Sequence, residues 1–290
     1  MEINKNVKFL IVGLGLMGGS IAHRLSLSGY EVGAITLNQE DIDYAINNKI
    51  IKSGMTTVEK DYISRFDVII FALYPSVFVE WIKKYQHLIR RGTLLTDVTG
   101  VKGAVVNEIQ DLLREEDLEF LAAHPMAGRE VGGVRNSNPN LFEGANYIIT
   151  PTLRNTNDAV EFLKEFAKIF GFKNVSIIGV DEHDEMIGFV SQLTHCIAVS
   201  LMTTKKEPQD LVKYTGDSFR DLTRIARINE DMWCELFLYN KDKLLKEMNA
   251  FLDQFNKLKE AISEEDKETI KNMMKLSTKN RSYFDKGGND

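Results

Sequence analysis

Residues 8–20 read KFLIVGLGLMGGS, and they are the strongest indication of the fold class. Its first five residues, Lys8–Val12, form a short apolar run, which is typical of a buried strand in a parallel sheet. The next six residues, GLGLMG at 13–18, have the GxGxxG pattern, and a helical segment follows. Between a buried strand and a helix, this pattern predicts a turn that binds a dinucleotide.

Each glycine of the turn has its own physical role. Gly13 allows a tight turn, Gly15 lets a pyrophosphate approach the backbone because it has no Cβ, and Gly18 lets the helix pack closely on the strand. The N–H groups at the start of the helix and the positive end of its dipole attract phosphate. These glycines, with Leu16 and Met17 between them, are the predicted cofactor contacts. The alternative is a plain tight turn in an α/β fold.

The end of the second predicted strand, residues 31–36, normally selects between the two nicotinamide dinucleotides. A carboxylate there binds the ribose 2′-hydroxyl of NAD, and an arginine accommodates the 2′-phosphate of NADP. The sequence has Thr36 and Asn38 at this point, and neither charge. Both side chains can hydrogen-bond either cofactor, so we predict NAD or NADP without a choice between them. Leu73, which ends another predicted strand, is a further candidate contact.

Strand-like apolar runs alternate with helical segments through the first 180 residues. The predicted strands lie at residues 8–12, 31–36, 67–73, 93–98, 120–123 and 175–180. This alternation predicts a parallel sheet covered on both faces. Beyond it, apolar residues recur at the α-helical period from Trp233 to Ile262, which predicts one long helix. We expect domains at residues 1–175 and 176–290, a homodimer that pairs through the second domain, and a frayed tail from Ser277.

The composition limits the classes of function. The chain has 290 residues, of which 43% are hydrophobic and 27% are charged, as expected for a soluble two-domain protein. A net charge of -6 and a pI of about 5.5 disfavour binding to nucleic acid or to an anionic membrane. The only two cysteines, Cys196 and Cys234, fit a reduced compartment. We find no signal peptide and no apolar stretch of about 18 residues, so we predict a cytoplasmic protein.

The segment HPMAGRE, residues 124–130, is the main candidate for chemistry because it follows a predicted strand. Ligands bind beyond the carboxyl ends of the strands in open α/β sheets. There, His124 can exchange a proton with a substrate hydroxyl near neutral pH. A buried structural histidine is an equally good explanation. Arg129 and Glu130 are either ligand contacts or a solvated pair.

The segment DEHDE, residues 181–185, opens the helical half. Acidic residues in a first helical turn suit the helix dipole, and we favour this explanation over a metal site, so no metal is predicted. Gln192 and His195 follow on the same helix.

The segment SFRDLTRIAR, residues 218–227, carries Arg220, Arg224 and Arg227, which share one face if the segment is helical. One or two of them can clamp a carboxylate bidentately. The alternative is a solvated basic face.

An ordered set of motifs makes the chain resemble the prephenate and arogenate dehydrogenases of tyrosine biosynthesis. In chain order the motifs are GLGLMGGS at 13–20, DVTGVK at 97–102, HPMAGRE at 124–130, LFEGANYIITP at 141–151, DEHD…SQLTH at 181–195 and SFRDLTRIA at 218–226. The resemblance implies a Rossmann-type doubly wound parallel sheet followed by an all-helical, dimerising domain. It also implies that NAD(P)+ takes a hydride from the ring carbinol of prephenate or arogenate, that CO2 leaves and that the ring becomes aromatic.

The resemblance also implies residue roles. His124 matches the histidine that hydrogen-bonds the ring hydroxyl, and Arg224 matches an arginine that binds a substrate carboxylate. His195 matches a histidine that lines the pocket, whereas Gln192 stands where the family usually has another histidine. Glu130 matches an acid near the pocket.

Two positions depart from the family pattern. The family often has a serine that contacts the substrate hydroxyl, and this chain has Gly100 there; we predict that Thr99, or a water, substitutes for it. Arg129 adds a charge to the histidine segment, and our hypothesis is that it contacts the pyruvyl carboxylate.

Two rival functions fit the same scaffold. One is a 3-hydroxyacid or imine dehydrogenase, which usually has a lysine proton donor on the helical half. The other is a nucleotide-sensing module without catalysis, which needs neither His124 nor an arginine clamp.

Overall fold

The glycine turn lies at the centre of a six-stranded parallel sheet with the strand order β3-β2-β1-β4-β5-β6. Its strands are β1 (Lys8–Val12), β2 (Glu31–Ile35), β3 (Ser53–Met55), β4 (Val68–Phe71), β5 (Leu94–Asp97) and β6 (Glu119–Phe120). The structure is a computed structural model that describes residues 3–113, 118–129, 131–206 and 208–284. Because β1 pairs with both β2 and β4, the strand order reverses at the glycine turn, where open α/β sheets bind ligands.

Helices cover both faces of this sheet, which confirms the predicted fold class. They are α1 (Leu16–Leu27), α2 (Gln39–Asn47), α3 (Lys60–Ile63), α4 (Pro75–Tyr85), α5 (Gly103–Leu112) and α6 (Asn157–Ile169). Alternate residues of β1 enter two separate apolar clusters. Phe9 and Ile11 pack with residues of α1, α2 and α6, whereas Leu10 packs with residues of α3, α4 and α5. Buried strands with apolar residues on both faces are typical of a parallel sheet.

A second, three-stranded sheet was not expected from the sequence. The segment predicted at residues 175–180 as the last strand of the parallel sheet belongs to this second sheet instead. It contains β7 (Ala122–Met126), β8 (Asn146–Thr150) and β9 (Asn174–Ile177), with β7 antiparallel to β8 and β9 parallel to it. The prediction that His124 lies just past a strand is therefore wrong. His124 lies within β7 and faces Ile148, because the strand pairing extends through Met126.

One continuous helix opens the helical region. It contains α7 (Val180–Ile187), a π-helical segment at Gly188–Leu193, and α8 (Thr194–Thr203). By length and composition alone, this 24-residue helix is able to cross a membrane, with a mean hydropathy of 1.4 in its most apolar window. The expectation that no apolar stretch reaches this length is therefore wrong. Only 28% of that window is buried within the chain.

The predicted long helix from Trp233 to Ile262 is interrupted. The structure has α9 (Asp217–Thr223), α10 (Glu230–Tyr239), α11 (Lys241–Ser263) and α12 (Lys267–Ser282). The break is at Asn240, where φ is -113° and ψ is 25°. The apolar period does not reveal this break because the cause is a polar, buried side chain. The predicted fraying from Ser277 is also wrong as far as Ser282, where α12 ends.

Backbone contacts divide the chain into two compact units, Met1–Lys241 and Asp242–Asp290. The first unit contains both sheets and the helices as far as α10. The second contains α11 from its second residue onward and α12. The predicted boundary near residue 175, which separates a nucleotide-binding half from a helical half, stays a prediction.

Candidate active site

The glycine turn has the geometry that close approach of a dinucleotide requires. Gly13 has a φ of +98°, and a Cβ on it would lie 2.4 Å from the Ala72 carbonyl oxygen. A Cβ on Gly18 would lie 2.0 Å from the Gly13 carbonyl oxygen, so helix and strand are in close contact. Beside Gly15, in contrast, no atom lies within 4 Å of the position of a Cβ. The turn therefore leaves backbone open at Gly15, and these residues fit a pyrophosphate.

The other candidate cofactor contacts lie at the same edge of the sheet. Leu73 is beside Gly13, since its Cδ2 would be 2.9 Å from a Cβ there. Thr36 is half-buried, and its N–H donates to the Met55 carbonyl. Asn38 caps α2 by accepting a hydrogen bond from the Glu40 N–H at 2.9 Å. Their roles as cofactor contacts stay predictions, as do those of Leu16 and Met17 at the start of α1.

His124 belongs to a row of three hydrogen-bonded side chains. The other two, His183 and Asp184, were not predicted from the sequence as site residues. Its Nδ1 lies 2.9 Å from Nε2 of His183, and Nδ1 of His183 lies 2.7 Å from Oδ1 of Asp184. The Asp184 carboxylate also accepts the backbone N–H groups of Lys102 at 2.9 Å and Gly103 at 2.7 Å. Strand β7, helix α7 and the start of α5 thus meet at these residues, which we name the histidine relay (His124, His183 and Asp184).

Burial keeps the two histidines of the relay neutral. It lowers the pKa of His124 well below its usual value, and the nearby His183 and Lys102 lower it further. Burial also lowers the pKa of His183, more than the hydrogen bond to Asp184 raises it. Burial alone would raise the pKa of Asp184, but hydrogen bonds from His183 and Gly103 lower it below its usual value. At neutral pH the relay is two neutral imidazoles beside a carboxylate.

A fully buried ion pair lies beside the relay. Lys102 Nζ is 2.7 Å from Asp97 Oδ2, and both side chains are 0% exposed. The same Nζ donates to the Ala123 carbonyl at 2.7 Å, and the Ala123 N–H donates to Asp97 Oδ1 at 3.1 Å. Burial lowers the pKa of Lys102, although Asp97 opposes this effect. Further hydrogen bonds of this kind are what a buried pair needs to offset its desolvation, and here they join β5 to β7.

Thr99 and Gly100 face different surroundings. The buried Thr99 hydroxyl hydrogen-bonds to Asp97, accepts from Lys102 Nζ at 3.2 Å and lies 3.0 Å from the Val101 carbonyl. A Cβ on Gly100, however, would lie 3.5 Å from Leu236 and 4.0 Å from Cε1 of His124. The position of the family serine therefore faces the His124 ring, whereas Thr99 contacts the ion pair. This geometry does not support Thr99 as a replacement for the serine.

The continuous helix over residues 180–203 contributes His195 and Gln192. Nδ1 of His195 donates to the Ser191 carbonyl at 2.8 Å, and its ring stacks on Trp233 with 3.7 Å between centroids. Trp233 was predicted only as part of the apolar helical period and not as a site residue. Gln192 is buried; its Nε2 donates to the Leu236 carbonyl and its Oε1 accepts from Asn240. Gln192 therefore holds α10 to the continuous helix over residues 180–203. Its contact with substrate stays a prediction. The π-helical turn that contains it is of a kind often found at functional sites.

The arginines are placed differently from the sequence expectation. Helix α9 ends at Thr223, and Arg224 begins a short 3₁₀ turn over residues 224–226. Arg220, Arg224 and Arg227 therefore do not share one α-helical face, and Arg220 pairs with Asp217. Arg129 and Arg224 are exposed, and their roles as carboxylate contacts stay predictions. Glu130 lies outside the described residues.

Comparison with known proteins identifies relatives over most of the chain. The family model for the nucleotide-binding domain of prephenate dehydrogenase matches residues 21–185, and the model for its dimerization domain matches residues 180–276. The prephenate dehydrogenase of Bacillus subtilis is 30% identical, with 90% of this chain and 71% of the relative covered. That of Lactococcus lactis is also 30% identical, with 96% and 77% covered.

A solved structure is similar throughout. The prephenate dehydrogenase of Aquifex aeolicus, in complex with hydroxyphenyl propionate and NAD+, has a TM-score of 0.87 and 33% identity, with 96% of this chain and 98% of that chain covered. Two family models that together span most of the chain, and relatives at this identity, establish the family. The chain belongs to the prephenate dehydrogenase family of decarboxylating, nicotinamide-dependent oxidoreductases.

Proposed function

We propose that the protein converts prephenate to 4-hydroxyphenylpyruvate by oxidative decarboxylation with NAD+ or NADP+. The observation that carries this proposal is the position of His124, which the relay holds beside Gly100. Gly100 follows β5, so it lies at the same edge of the parallel sheet as the glycine turn. The A. aeolicus relative supports the proposal, because its ligand is a phenol with a carboxylate side chain, the chemical class of the product.

The glycine turn is the proposed cofactor site. Gly13, Gly15 and Gly18, with the N–H groups at the start of α1, would hold the pyrophosphate. When bound, NAD+ or NADP+ supplies the hydride acceptor for the oxidation. The protein's own contribution is to bind, to orient, and to take up and return a proton.

His124 is the proposed proton acceptor. As the hydride leaves the ring carbinol carbon, the hydroxyl proton passes to Nε2 of His124 and the oxygen becomes a carbonyl. The bond from the ring to its carboxylate then breaks, CO2 leaves, and the electron pair makes the ring aromatic with the oxygen as a phenolate. Nε2 of His124 returns its proton to this oxygen, which gives the phenol and restores the neutral imidazole. A neutral imidazole near the operating pH suits this proton transfer, and the gain of aromaticity favours the decarboxylation.

The substrate carboxylates need cationic partners. We propose that Arg224 binds one carboxylate and Arg129 binds the other, since guanidinium groups bind carboxylates bidentately. The stacked pair of His195 and Trp233 is the proposed apolar wall of the pocket, and Glu130 stays a candidate beside it.

An activity assay tests the function. The purified chain is incubated with prephenate or arogenate and with NAD+ or NADP+, and reduced cofactor is followed by its absorbance. We expect turnover with prephenate, and a loss of roughly 100- to 10,000-fold in kcat for His124→Ala, the range for removal of a general base. Absence of reduced cofactor in all four mixtures would contradict the proposal.

Arogenate is the alternative substrate, because it differs from prephenate only by an amino group in place of the side-chain keto group. The ratio of kcat/KM for the two substrates decides between them. Arg129→Ala should lower kcat/KM by about tenfold or more if Arg129 binds the side-chain carboxylate. Arg91→Ala, an exposed arginine at the opposite edge of the sheet, is the control. Equal effects of the two variants would remove Arg129 from the site.

We also propose a cytoplasmic homodimer that pairs through the helical half, with the functional boundary near residue 175. The dimerization model matches residues 180–276, and the long helix exposes Phe189 and Val190 (56% and 44%). A second copy that covers this helix would bury the apolar face without a membrane. Sedimentation velocity should give twice the chain mass of 33.0 kDa, and Phe189→Glu should shift the protein toward the monomer. A wild-type protein that sediments as a monomer would exclude this arrangement.

A further inference from the structure

We propose that His183 and Asp184 are positioning residues that fix the tautomer of His124, so that its Nε2 is presented to the substrate as a proton acceptor. This inference rests on the proposed function for its substrate but not for its geometry. It follows from the direction that each hydrogen bond of the relay must have. The direction is set at one end, by the carboxylate of Asp184.

A carboxylate only accepts hydrogen bonds. Oδ1 of Asp184 accepts from the Lys102 N–H, and Oδ2 accepts from the Gly103 N–H. Nδ1 of His183, at 2.7 Å from Oδ1, must therefore carry a hydrogen. Because His183 is neutral and has only one ring hydrogen, its Nε2 is a lone pair.

The hydrogen bond between the two histidines then has only one possible direction. A lone pair on His183 Nε2 can only accept, so Nδ1 of His124, 2.9 Å away, must be the donor. The neutral His124 then has no hydrogen on Nε2. This is the tautomer that a general base needs, and it is selected before any substrate binds.

The Asp184 carboxylate, which anchors the relay, is held by two backbone hydrogen bonds. The N–H groups that bind Asp184 belong to the first turn of α5, and the Nζ of the same Lys102 is held by Asp97 and the Ala123 carbonyl. Ala123 directly precedes His124 in β7. Both ends of the relay are therefore tied to one buried ion pair. The titratable groups facing the two histidines are Asp184, Lys102 and Asp97.

Two variants of His183 separate positioning from folding. In His183→Gln, the side-chain oxygen reaches the place of Nε2 and can still accept from His124. In His183→Leu, a side chain of similar volume offers no acceptor. We expect His183→Leu to lower kcat by about 100-fold with KM changed less than about threefold, and His183→Gln to retain activity within about tenfold of wild type. Melting temperatures report whether each variant is folded.

A second measurement does not depend on turnover. Nitrogen chemical shifts of ¹⁵N-labelled histidine rings distinguish the two tautomers in the wild-type protein, which has five histidines. We expect both His124 and His183 to carry their hydrogen on Nδ1 near neutral pH. The His183→Gln spectrum assigns the His183 signals and should leave the His124 tautomer unchanged.

The outcomes separate this inference from the proposed function. A wild-type protein without turnover, but with both tautomers as expected, would end the proposed function and leave the tautomer assignment standing. A hydrogen on Nε2 of His124 in the wild type would overturn the inference. Equal loss of kcat in folded His183→Gln and His183→Leu would also overturn it, because the chain would then need a protonatable group at position 183. Wild-type activity in His183→Leu would do the same.

Discussion

Gly100 lacks the side chain that the family often has at this position, beside the His124 ring. A Cβ there would lie at ordinary van der Waals distance from Leu236 and from the His124 ring. The space for the family's serine is therefore still present, and the hydroxyl is what the site lacks. The Thr99 hydroxyl does not replace it, because it binds the Asp97–Lys102 pair.

We predict that Gly100→Ser folds normally and raises kcat/KM for the substrate by about two- to tenfold, which is the effect of one added hydrogen bond of roughly 0.5–1.5 kcal/mol. Steady-state kinetics check this, with a melting curve to show an unchanged fold. Gly100→Ala is the matched control, since it adds the same Cβ without the hydroxyl. Equal kinetics for the serine and alanine variants would show that no hydroxyl is needed there.

Single residues were predictable only where the local sequence carries the signal. His124 was proposed because it was expected just past a strand, although it lies within β7, and the three glycines were proposed from their spacing. His183 and Asp184 were assigned to a helix dipole, because acidic residues at a helix start already have that explanation. His183 in fact contacts His124, which lies 59 residues away in the chain. Asp184 contacts His183 and the backbone of Lys102 and Gly103, and no spacing rule connects these segments.

In the strand–turn–helix at the N-terminus, two glycines are needed for different reasons, one for packing and one for ligand access. Gly18 is required for packing, since any Cβ would overlap the Gly13 carbonyl. Gly15 is not required for folding, because the space beside it is open. The sequence pattern alone does not show which of the two glycines is needed for the stability of the fold.

We predict opposite results for two alanine substitutions in this turn. Gly18→Ala should lower the melting temperature markedly, because backbone must shift. Gly15→Ala should leave the melting temperature unchanged, but should raise the KM for NAD+ or NADP+ by about tenfold or more, a loss of roughly 1.4 kcal/mol. Thermal melting and cofactor titration measure the two effects. Normal cofactor binding by Gly15→Ala would exclude the turn as the pyrophosphate site.

The end of α10 illustrates why helix boundaries were predicted less well than helices. The apolar period runs through Asn240 without a break, yet the helix ends there. The buried Asn240 amide donates to the Asp184 carbonyl at 2.8 Å and to Gln192 Oε1 at 2.7 Å. A tertiary hydrogen bond therefore decides the boundary, and a pattern of apolar residues contains no information about it.

We predict that Asn240→Ala lowers the free energy of unfolding by about 1–3 kcal/mol, because it leaves two buried acceptors without this donor. Urea-induced unfolding measures the loss. Asn249→Ala removes an exposed asparagine from α11 and should change stability by less than about 0.5 kcal/mol. If the two variants were equally stable, the Asn240 side chain would not be what holds the end of α10 to Asp184 and Gln192.

At the scale of the whole molecule, the alternation of strands and helices was sufficient to predict the doubly wound sheet. The second sheet was missed because β8 is a short apolar segment in a region without a clear period, and because β7 looked like the end of the first sheet. The local sequence pattern thus predicts that a sheet is covered by helices, but it does not predict which strands pair in a separate sheet.

The buried neutral histidines make stability depend on pH. Burial lowers the pKa of His124 and His183 below their usual 6.5, and that of His23 in the same direction. As the pH falls below about 6.5, the unfolded chain binds protons that the folded chain does not, so folding is disfavoured. We predict a loss of stability between about pH 7 and about pH 5, by up to about 1.4 kcal/mol per pH unit for each of His124 and His183. The less buried His23 should contribute less, because solvent screens its charge.

Melting temperatures across this pH range test the prediction, and the double variant with His124→Gln and His183→Gln should reduce the slope. Asp184 does not contribute in this window, because its lowered pKa moves its loss of stability below pH 3.8. A melting temperature that is constant or rises on acidification would contradict the prediction.

Lys102 has a consequence for how this protein can change during evolution. Its backbone N–H supports the relay, and its side chain closes the ion pair in a space with no exposure. Arginine is too large for that space, and a neutral side chain would strand Asp97 as a buried charge. Exposed positions such as 129 and 224 can therefore change without this cost, whereas we expect no other residue at position 102 to leave a functional protein. A saturation library should recover lysine alone at that position.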